Sequence, residues 1–384
     1  MPYGYLAGVL LFGALVSLTL VAPRRPGWLA GLAYRVASSY NEAPLPFIYL
    51  IAVSSISPAG QLASPAVAVV FGLAVLVMAG LGVIAWRGAQ ARPVVGLALD
   101  DGLGVGWRAD TDPRLLAEVR DRPPIARILC MPFVLRPSRV ERTRSIRYGD
   151  AGRANLLDVY RHRSHPTHAP VLVFLHGGGY YGGHKSVEAR ALLFRLASQG
   201  WVTISANYRL RPHAGFFDHL LDVKKVIAWV RRHGHEFGAD PSTLVLSGGS
   251  AGEHLSSIAA LTQNDPKYQP GFEEADTSVT AVVSLYGWYG GYYEMGGPET
   301  EVGPLGHPAH EAPPFFIAHG EKDSLAWIET ARRFEAHLRA ASPNPVVFAE
   351  LPHGQHAFAL FHSFRFSAVV DGVEAFTAWV RSRG

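Results

Sequence analysis

The first ninety residues differ from the rest of the chain in their pattern of apolar positions. No charged residue occurs from 4 to 22 or from 43 to 86. At about 20 residues per membrane span, the first stretch holds one helix and the second holds two. We predict transmembrane helices at 4–22, 45–57 and 63–86, with a turn at Ser57-Pro58-Ala59-Gly60-Gln61. A cleaved signal peptide is disfavoured, because the first stretch lacks a basic leader and a second apolar stretch follows it.

Basic residues flank these predicted spans and suggest an orientation. Arg24, Arg25 and Arg35 lie between the first two spans, and Arg87 and Arg92 follow the third. The positive-inside rule favours the cytoplasm for the chain that follows the third span. We expect both arginine groups to lie on the cytoplasmic side only if the predicted second span, at 45–57, does not cross the membrane. The prediction is a multi-pass protein of the cell membrane with a cytoplasmic catalytic domain.

The remaining chain alternates short apolar runs with helical stretches. Helices are predicted at 219–233 and 250–261. Strands of the buried type are predicted at 171–175, 202–206, 244–246, 279–285, 314–318 and 346–351. This alternation indicates an α/β domain with a mostly parallel sheet between two layers of helices. We predict three units: a transmembrane region at 1–92, an arginine-rich linker at 93–142 and a catalytic domain at 143–384. The linker either caps the site and lies on the anionic leaflet, or is a solvated connector.

Two glycine-rich segments follow strands and indicate nucleophilic chemistry. Gly248-Gly249-Ser250-Ala251-Gly252 has the form of a nucleophile elbow, in which a serine lies on a sharp strand-to-helix turn. His176-Gly177-Gly178-Gly179 has the form of a loop that offers backbone N–H groups to an oxyanion. We assign Ser250 as nucleophile and the N–H groups of Gly178, Gly179 and Ala251 as the oxyanion hole. Together the segments predict a serine hydrolase.

The acid and base are expected after the serine, on later strand-end loops. Asp323 follows the strand at 314–318, and His356 follows the last strand. Because strand-end loops meet at one edge of a parallel sheet, the two side chains are expected to reach Ser250. Two rivals lie close by, Glu321 for the acid and His353 for the base.

These segments resemble the bacterial hormone-sensitive-lipase-like carboxylesterases of the α/β-hydrolase fold. The resemblance runs from about residue 146 to the C-terminus and includes Ser205-Ala-Asn-Tyr-Arg-Leu210. It implies hydrolysis of carboxylic esters, usually with short acyl chains, through an acyl-enzyme and without a cofactor. An amidase of the arylformamidase type is the alternative reaction. A non-catalytic ligand-binding scaffold is disfavoured, because candidates for all three catalytic groups are present.

Glu253 departs from the family pattern, in which glycine is common at this position. We interpret it as a first-turn carboxylate stabilised by the helix dipole, with a pocket-facing group as the alternative. Tyr180, Trp288 and Phe358 lie in or next to strand-end loops and are predicted to wall the substrate pocket.

Composition limits the other classes of function. The single cysteine, Cys130, excludes an intramolecular disulfide, and the net charge of +4 is accounted for by the arginine-rich linker. Nucleic acid is therefore not an expected partner, and no metal-ligand or dinucleotide-binding pattern is present. The expected partners are a small-molecule or lipid ester and the membrane.

Overall fold

The computed structural model describes residues 3–23, 27–59, 64–120, 122–130 and 133–383. Its strands are β1 (Val140–Arg147), β2 (Leu156–His162), β3 (Ala169–Leu175), β4 (Val202–Ala206), β5 (Ala239–Gly249), β6 (Ala281–Leu285), β7 (Phe315–Gly320) and β8 (Val346–Leu351). Its helices are α1 (Tyr3–Val21), α2 (Gly27–Tyr40), α3 (Pro44–Ser54), α4 (Ile56–Ala59), α5 (Pro65–Ala89), α6 (Ala91–Leu103), α7 (Pro113–Leu116), α8 (Ile125–Cys130), α9 (Arg190–Ser198), α10 (Phe216–His233), α11 (Ala251–Leu261), α12 (Ile328–Ala341) and α13 (Phe364–Arg381).

The strands form one sheet in the order β1-β2-β4-β3-β5-β6-β7-β8. The first two strands pair antiparallel, β2 pairs antiparallel with β4, and all other neighbours are parallel. This arrangement confirms the predicted α/β-hydrolase fold. β5 is central, so the turn that follows it opens at the middle of the carboxyl edge of the sheet, where ligands bind in such folds.

Apolar side chains fill both faces of this sheet. Helices α10, α11 and α12 cover one face through residues such as Leu220, Leu255 and Phe334. Helices α6, α9 and α13 cover the other through Val95, Leu193 and others. The parallel strands are buried on both sides, which explains their continuous apolar sequence. A rigid sheet thus holds the strand-end loops in place.

The N-terminal helices form a separate bundle with its own apolar core. A Cβ built on Gly13 would lie 3.4 Å from Val77, and Arg87 donates a hydrogen bond to the carbonyl of Leu20 at 3.2 Å. Contacts therefore advance along α1 and α5 together, and the two helices are parallel. Stretches Tyr3–Val21 and Pro65–Leu103 are long and apolar enough to cross a membrane.

Helix α3 runs in the opposite direction to α1. The hydroxyl groups of Tyr5 and Ser55 are 2.6 Å apart, whereas Phe12 packs on Phe47 with ring centroids 6.2 Å apart. The ends of α1 and α5 consequently lie together while α3 runs back along the bundle. The expectation that the two arginine groups share a side only if the second segment fails to cross was therefore wrong.

Helix boundaries differ modestly from the predicted spans. The second segment is a helix at Pro44–Ser54 that continues, after a break at Ser55, into a short helix ending at Ala59. That short helix includes Ser57, Pro58 and Ala59, which we predicted to lie in a turn; the other two residues of the predicted turn, Gly60 and Gln61, lie outside the described residues. So does Ala63, where the third span was predicted to begin.

The predicted linker is not a separate connector. Helix α6 continues directly from α5 and packs on β8 and α13, where Arg92 pairs with Asp371 at 2.6 Å. A Cβ on Gly102 would lie 2.7 Å from the Val346 carbonyl, so this glycine permits close contact with the edge strand. Strand β1 also begins at Val140, before the predicted domain boundary at 143. The helical bundle is thereby joined to the catalytic domain by a single long, packed helix.

Candidate active site

Three side chains from different strand-end loops form a continuous hydrogen-bonded chain. The hydroxyl of Ser250 lies 2.9 Å from Nε2 of His356, and Nδ1 of His356 lies 2.6 Å from a carboxylate oxygen of Asp323. With the proton on Nδ1, the imidazole donates to the carboxylate and leaves Nε2 to accept the serine proton. The structure thus brings together the three residues that the sequence pattern selected.

The turn that carries Ser250 requires small neighbours. Ser250 has φ 52° and ψ −118°, a left-handed conformation that side chains rarely adopt. A Cβ on Gly248 would lie 2.5 Å from the backbone nitrogen of Glu253, and one on Gly252 would lie 2.3 Å from the Leu175 carbonyl. Both glycines are therefore needed for helix α11 to leave the sheet directly after the serine. The result is a half-buried serine residue that lines the cavity at a helix N-terminus.

The loop that carries Asp323 is fixed by several hydrogen bonds. One carboxylate oxygen accepts from the backbone N–H groups of Leu325 and Ala326, at 2.9 and 2.8 Å, and the other faces His356. The side-chain oxygen of Gln355 accepts from the N–H groups of both Ser324 and His356, at 2.7 and 3.0 Å. This amide links the acid loop to the base loop, so the Asp323–His356 distance is set before substrate binds.

His319 supports the same loop from inside the core. Its Nε2 lies 2.7 Å from the Ala326 carbonyl and 3.5 Å from the Asp323 carboxylate. Burial lowers the pKa of His319, so its neutral form is favoured. A neutral imidazole donates to the carbonyl without adding a charge beside Asp323.

The rival residues lie apart from the serine. The Glu321 carboxylate accepts from the backbone N–H of His353 at 3.0 Å, which joins the two loops at a second point. Neither residue is among those that line the cavity around Ser250.

The glycine run after β3 lies beside Ser250 as predicted. Gly178 and Gly179 have φ angles of 115° and 59°, and both line the cavity together with Ala251. A Cβ on Gly178 would lie 2.3 Å from the Gly182 carbonyl, so only glycine fits this turn. The backbone of this loop therefore approaches the serine without side chains in between.

A carboxyl group that the motifs did not indicate holds this loop. Both oxygens of Glu188 lie 3.1 Å from the backbone nitrogen of Gly177, and the hydroxyl of Tyr286 donates to one of them at 3.1 Å. The Tyr286 ring in turn packs edge-on against His356, with centroids 5.2 Å apart. Burial raises the pKa of Glu188. This side chain connects the oxyanion loop with the residue that supports the base.

Removing the acceptor at position 188 should weaken catalysis more than binding. In Glu188→Ala the Gly177 N–H loses its buried partner, which costs about 1–3 kcal/mol, and we expect kcat to fall by about tenfold to a hundredfold. Glu188→Gln retains an acceptor oxygen and should restore most of the rate. Steady-state kinetics with a p-nitrophenyl ester would measure both variants. Equal losses of kcat in the alanine and glutamine variants would contradict a positioning role.

An apolar cavity of about 610 Å³ opens above the catalytic serine. Its size is within the usual range for small-molecule sites. Tyr180 and Trp288 line it, as predicted, whereas Phe358 does not. The Phe358 ring is fully buried behind Tyr286, with centroids 4.8 Å apart, so that assignment is wrong. The remaining walls include Tyr34, Tyr293, Leu325 and Ala357.

Tyr180 is held by a buried histidine on the helix after the serine. Its hydroxyl lies 2.7 Å from Nδ1 of His254. Burial lowers the pKa of His254 to about 3, so the imidazole stays neutral across the physiological range. The tyrosine ring is therefore a fixed wall of the cavity.

Glu253 is neither a surface carboxylate nor a pocket group. Its side chain is fully buried and accepts a hydrogen bond from Ser257 at 2.7 Å. Burial raises the pKa of Glu253 well above its ordinary value, so the neutral acid is the favoured form. The predicted position in the first turn of the helix is confirmed, whereas a carboxylate stabilised by the helix dipole does not fit this burial, and Glu253 does not line the cavity.

Glu253 should make stability depend on pH. Its folded-state pKa is raised above the unfolded value of about 4.3, so its contribution is complete below that pH and is lost as pH rises towards the folded value. Relative to Glu253→Gln, the wild type should lose about 1.4 kcal/mol per pH unit across that window. Thermal unfolding of both proteins from pH 4 to 8 checks this. A constant difference between their melting temperatures would show that Glu253 does not titrate on unfolding.

Tyr34 is the second functional candidate that sequence reasoning missed. It lies on α2, in a segment without a motif, and packs edge-on against His356 with centroids 5.7 Å apart. Within the described ranges, the cavity lining includes Tyr34 but no residue from the predicted linker. A cap was one of the two alternatives for residues 93–142, and the described cavity lining includes a residue of α2 instead. Among the same described residues, no group of three or more His, Cys, Asp or Glu side chains is arranged to hold a metal ion.

Comparison with known proteins agrees with this arrangement. The BD-FAE family model matches residues 157–290. The probable carboxylic ester hydrolase LipM of Mycobacterium tuberculosis is 36% identical across 97% of this chain and 93% of its own length. Esterase LipQ of the same organism is 35% identical across 78% of this chain and 77% of its own length.

A solved structure shows the same fold at lower sequence identity. Thermogutta terrifontis esterase 2, phosphoramylated by tabun, superposes with a TM-score of 0.54 over 62% of this chain and 94% of its own, at 22% identity. The relatives confirm the resemblance inferred from the glycine-rich segments. The chain therefore belongs to the hormone-sensitive-lipase-like family of carboxylic ester hydrolases.

Proposed function

We propose that this protein is a membrane-anchored serine carboxylesterase that works through an acyl-enzyme. The observation that carries the proposal is the hydrogen-bonded chain Ser250–His356–Asp323 at the base of an apolar cavity. A serine in this setting is activated by the neighbouring base, and the base is oriented by the carboxylate.

Each step of the reaction has a group in position. The Ser250 oxygen attacks the ester carbonyl carbon while His356 Nε2 takes the serine proton. The N–H groups of Gly178, Gly179 and Ala251 donate to the carbonyl oxygen as it becomes negative, aided by the N-terminus of α11. His356 then gives its proton to the leaving alkoxide, which departs as alcohol. A water molecule then attacks the acyl carbon while His356 takes one of its protons. The bond between the acyl carbon and the Ser250 oxygen breaks, His356 returns the proton to that oxygen, and the acid leaves.

The cavity favours an ester with an apolar acyl or alcohol part. Its walls are mainly aromatic and aliphatic, and Glu188 is the carboxyl group among them. A volume of about 610 Å³ holds a short or medium acyl chain with its alcohol, and a longer lipid chain would extend through the opening. Short-chain and lipid esters are thus the substrate classes that we propose.

A panel of substrates tests the reaction type. p-Nitrophenyl esters from two to sixteen carbons and a formanilide series would be assayed with the wild type and with Ser250→Ala. Serine-dependent ester hydrolysis supports the proposal. Faster turnover of formanilides than of every ester would favour the amidase alternative instead.

The helix directions support a multi-pass topology with three crossings. If α1, the apolar stretch Pro44–Ala59 that contains α3 and α4, and α5 each cross, the residues after α1 and those after α5 share one side with the catalytic domain. Arg35 and Arg87 then lie on that side, and the positive-inside rule assigns it to the cytoplasm. A C-terminal fusion to green fluorescent protein should fluoresce, and one to alkaline phosphatase should be inactive. The reverse pair of results would place the domain outside.

A further inference from the structure

Helix α2 forms part of the entrance to the catalytic cavity. Tyr34 lines the cavity, and the hydroxyl of Ser324 donates to the Ala30 carbonyl at 3.3 Å. Ser324 directly follows Asp323, so α2 rests on the loop that carries the catalytic acid. This helix belongs by sequence to the apolar N-terminal region, yet it contributes to the chemistry of the catalytic domain.

The outer side of α2 exposes two large apolar side chains, Trp28 and Leu32, together with the basic residue Arg35. Ala30 and Ala33 are buried against the protein, whereas Trp28 and Leu32, one helical turn apart, are 73% and 43% exposed. The loop after Asp323, on which α2 rests, contributes two further exposed apolar residues. Leu325 and Trp327 are 42% and 41% exposed. We call Trp28, Leu32, Leu325 and Trp327 the entrance patch. Leu325 also lines the cavity, so the patch is continuous with the opening.

The chain path brings this patch to the end of the apolar bundle. Helix α1 ends at Val21 and α2 begins at Gly27, so a short connection separates them. Arg87 at the end of α5 donates to the Leu20 carbonyl, which brings the ends of both long apolar helices to one level. If those helices cross a bilayer, α2 lies at its surface. Tryptophan and leucine on one side of a short helix are typical of segments that bind the interfacial region.

We propose that the entrance patch inserts into the bilayer interface and that the site draws its ester from within the membrane. The substrate class is an ester already dissolved in the lipid phase, with an apolar chain that reaches Ser250 past Tyr34 and Leu325. This inference rests on the proposed function, because it assigns a source of substrate to the same serine. A membrane source of substrate would explain why the apolar bundle is joined to the catalytic domain through α5 and α6. It would also explain why α2 contributes Tyr34 to the catalytic cavity.

Two substrates presented to the full chain test the inference. The protein is reconstituted in phosphatidylcholine vesicles and assayed with p-nitrophenyl acetate in the water phase and p-nitrophenyl palmitate in the vesicles. The variant carries Trp28→Gln, Leu32→Gln and Trp327→Gln; the matched control carries Leu97→Gln and Val105→Gln, which replace exposed apolar residues on and just after α6. We expect the patch variant to lose about tenfold on the palmitate and less than about twofold on the acetate. The control variant should match the wild type on both esters.

The outcomes separate the two proposals. Equal rates of the patch variant and the wild type on both esters, or equal losses on both, would overturn the membrane source of substrate. A wild type that hydrolyses neither ester would contradict the proposed function itself. A wild-type dimer in detergent that the patch variant converts to monomer, with palmitate hydrolysis unchanged, would show that the patch binds a second copy and would also overturn the inference.

A spectroscopic measurement does not depend on turnover. Leu32→Cys in a Cys130→Ser background is labelled with an environment-sensitive fluorophore and reconstituted in vesicles. Val105→Cys in the same background, labelled and reconstituted in the same way, is the water-exposed control. Blue-shifted emission at position 32, quenched by brominated lipid, supports insertion. Emission at position 32 equal to that of the exposed control would overturn it.

Discussion

Replacement of Ser250 by alanine should lower kcat/KM for p-nitrophenyl butyrate by about a millionfold, to the residual level that binding and the oxyanion hole supply. The hydroxyl lies 2.9 Å from His356, on a residue with positive φ at the start of the helix. Steady-state kinetics on purified protein would measure the loss. Ser256→Ala on the same helix, whose hydroxyl bonds only to the Gly252 carbonyl at 2.9 Å, is the matched control and should keep nearly full activity. Esterase activity that survives in a folded Ser250→Ala protein would refute the assignment.

Replacement of Asp323 by asparagine should lower kcat by about ten thousandfold with little change in KM. An asparagine amide in this position favours the wrong tautomer of His356, so Nε2 no longer accepts the serine proton. Glu321→Gln provides the control, because Glu321 bonds to the backbone of His353 and not to the base.

The two variants together decide between the acid candidates. A loss in Asp323→Asn with normal kinetics in Glu321→Gln supports the geometry. A larger loss in Glu321→Gln than in Asp323→Asn would require a different acid and a rearranged loop. Circular dichroism and thermal unfolding would establish that both variants are folded.

The catalytic core could be predicted because its constraints are local. Apolar runs mark the buried strands, and the glycines around Ser250 report a turn that other residues cannot form. Strand β8, predicted at 346–351, has the predicted limits, and His356 lies in the loop that follows it. The order of the motifs then places each group on a neighbouring loop, because parallel strands end at one edge.

The remaining parts of the site depend on tertiary contacts that leave no local pattern. Tyr34 reaches the cavity only because α2 docks on the loop after Asp323, and Glu188 acts through a hydrogen bond to Gly177. Phe358 is near the site in sequence, but it lies in a short 3₁₀ turn, Phe358–Leu360, and its ring is buried in the core. Glu253 has an ionisable side chain, and its burial favours the neutral acid where the sequence suggested a carboxylate.

In the N-terminal region too, the sequence located the helices but did not show how they pack against one another. Hydropathy located α1 and α5 within a few residues, whereas their parallel directions follow from packing of Gly13 on Val77 and of Gly80 on Val16. The sequence did not predict that α6 continues from α5, because we ended the third span before Arg87 and Arg92. Charged residues mark the end of a membrane span but do not end the helix.

The most direct test of the account is to trap the acyl-enzyme analogue and locate it. The full-length protein is treated with diisopropyl fluorophosphate, and the modified peptide is identified by tandem mass spectrometry, with His356→Ala as the unactivated control. We predict one adduct per chain, on Ser250, with loss of esterase activity in step with labelling and at least about a hundredfold slower labelling in the control. An adduct on another residue, or full inhibition with Ser250 unmodified, would contradict it.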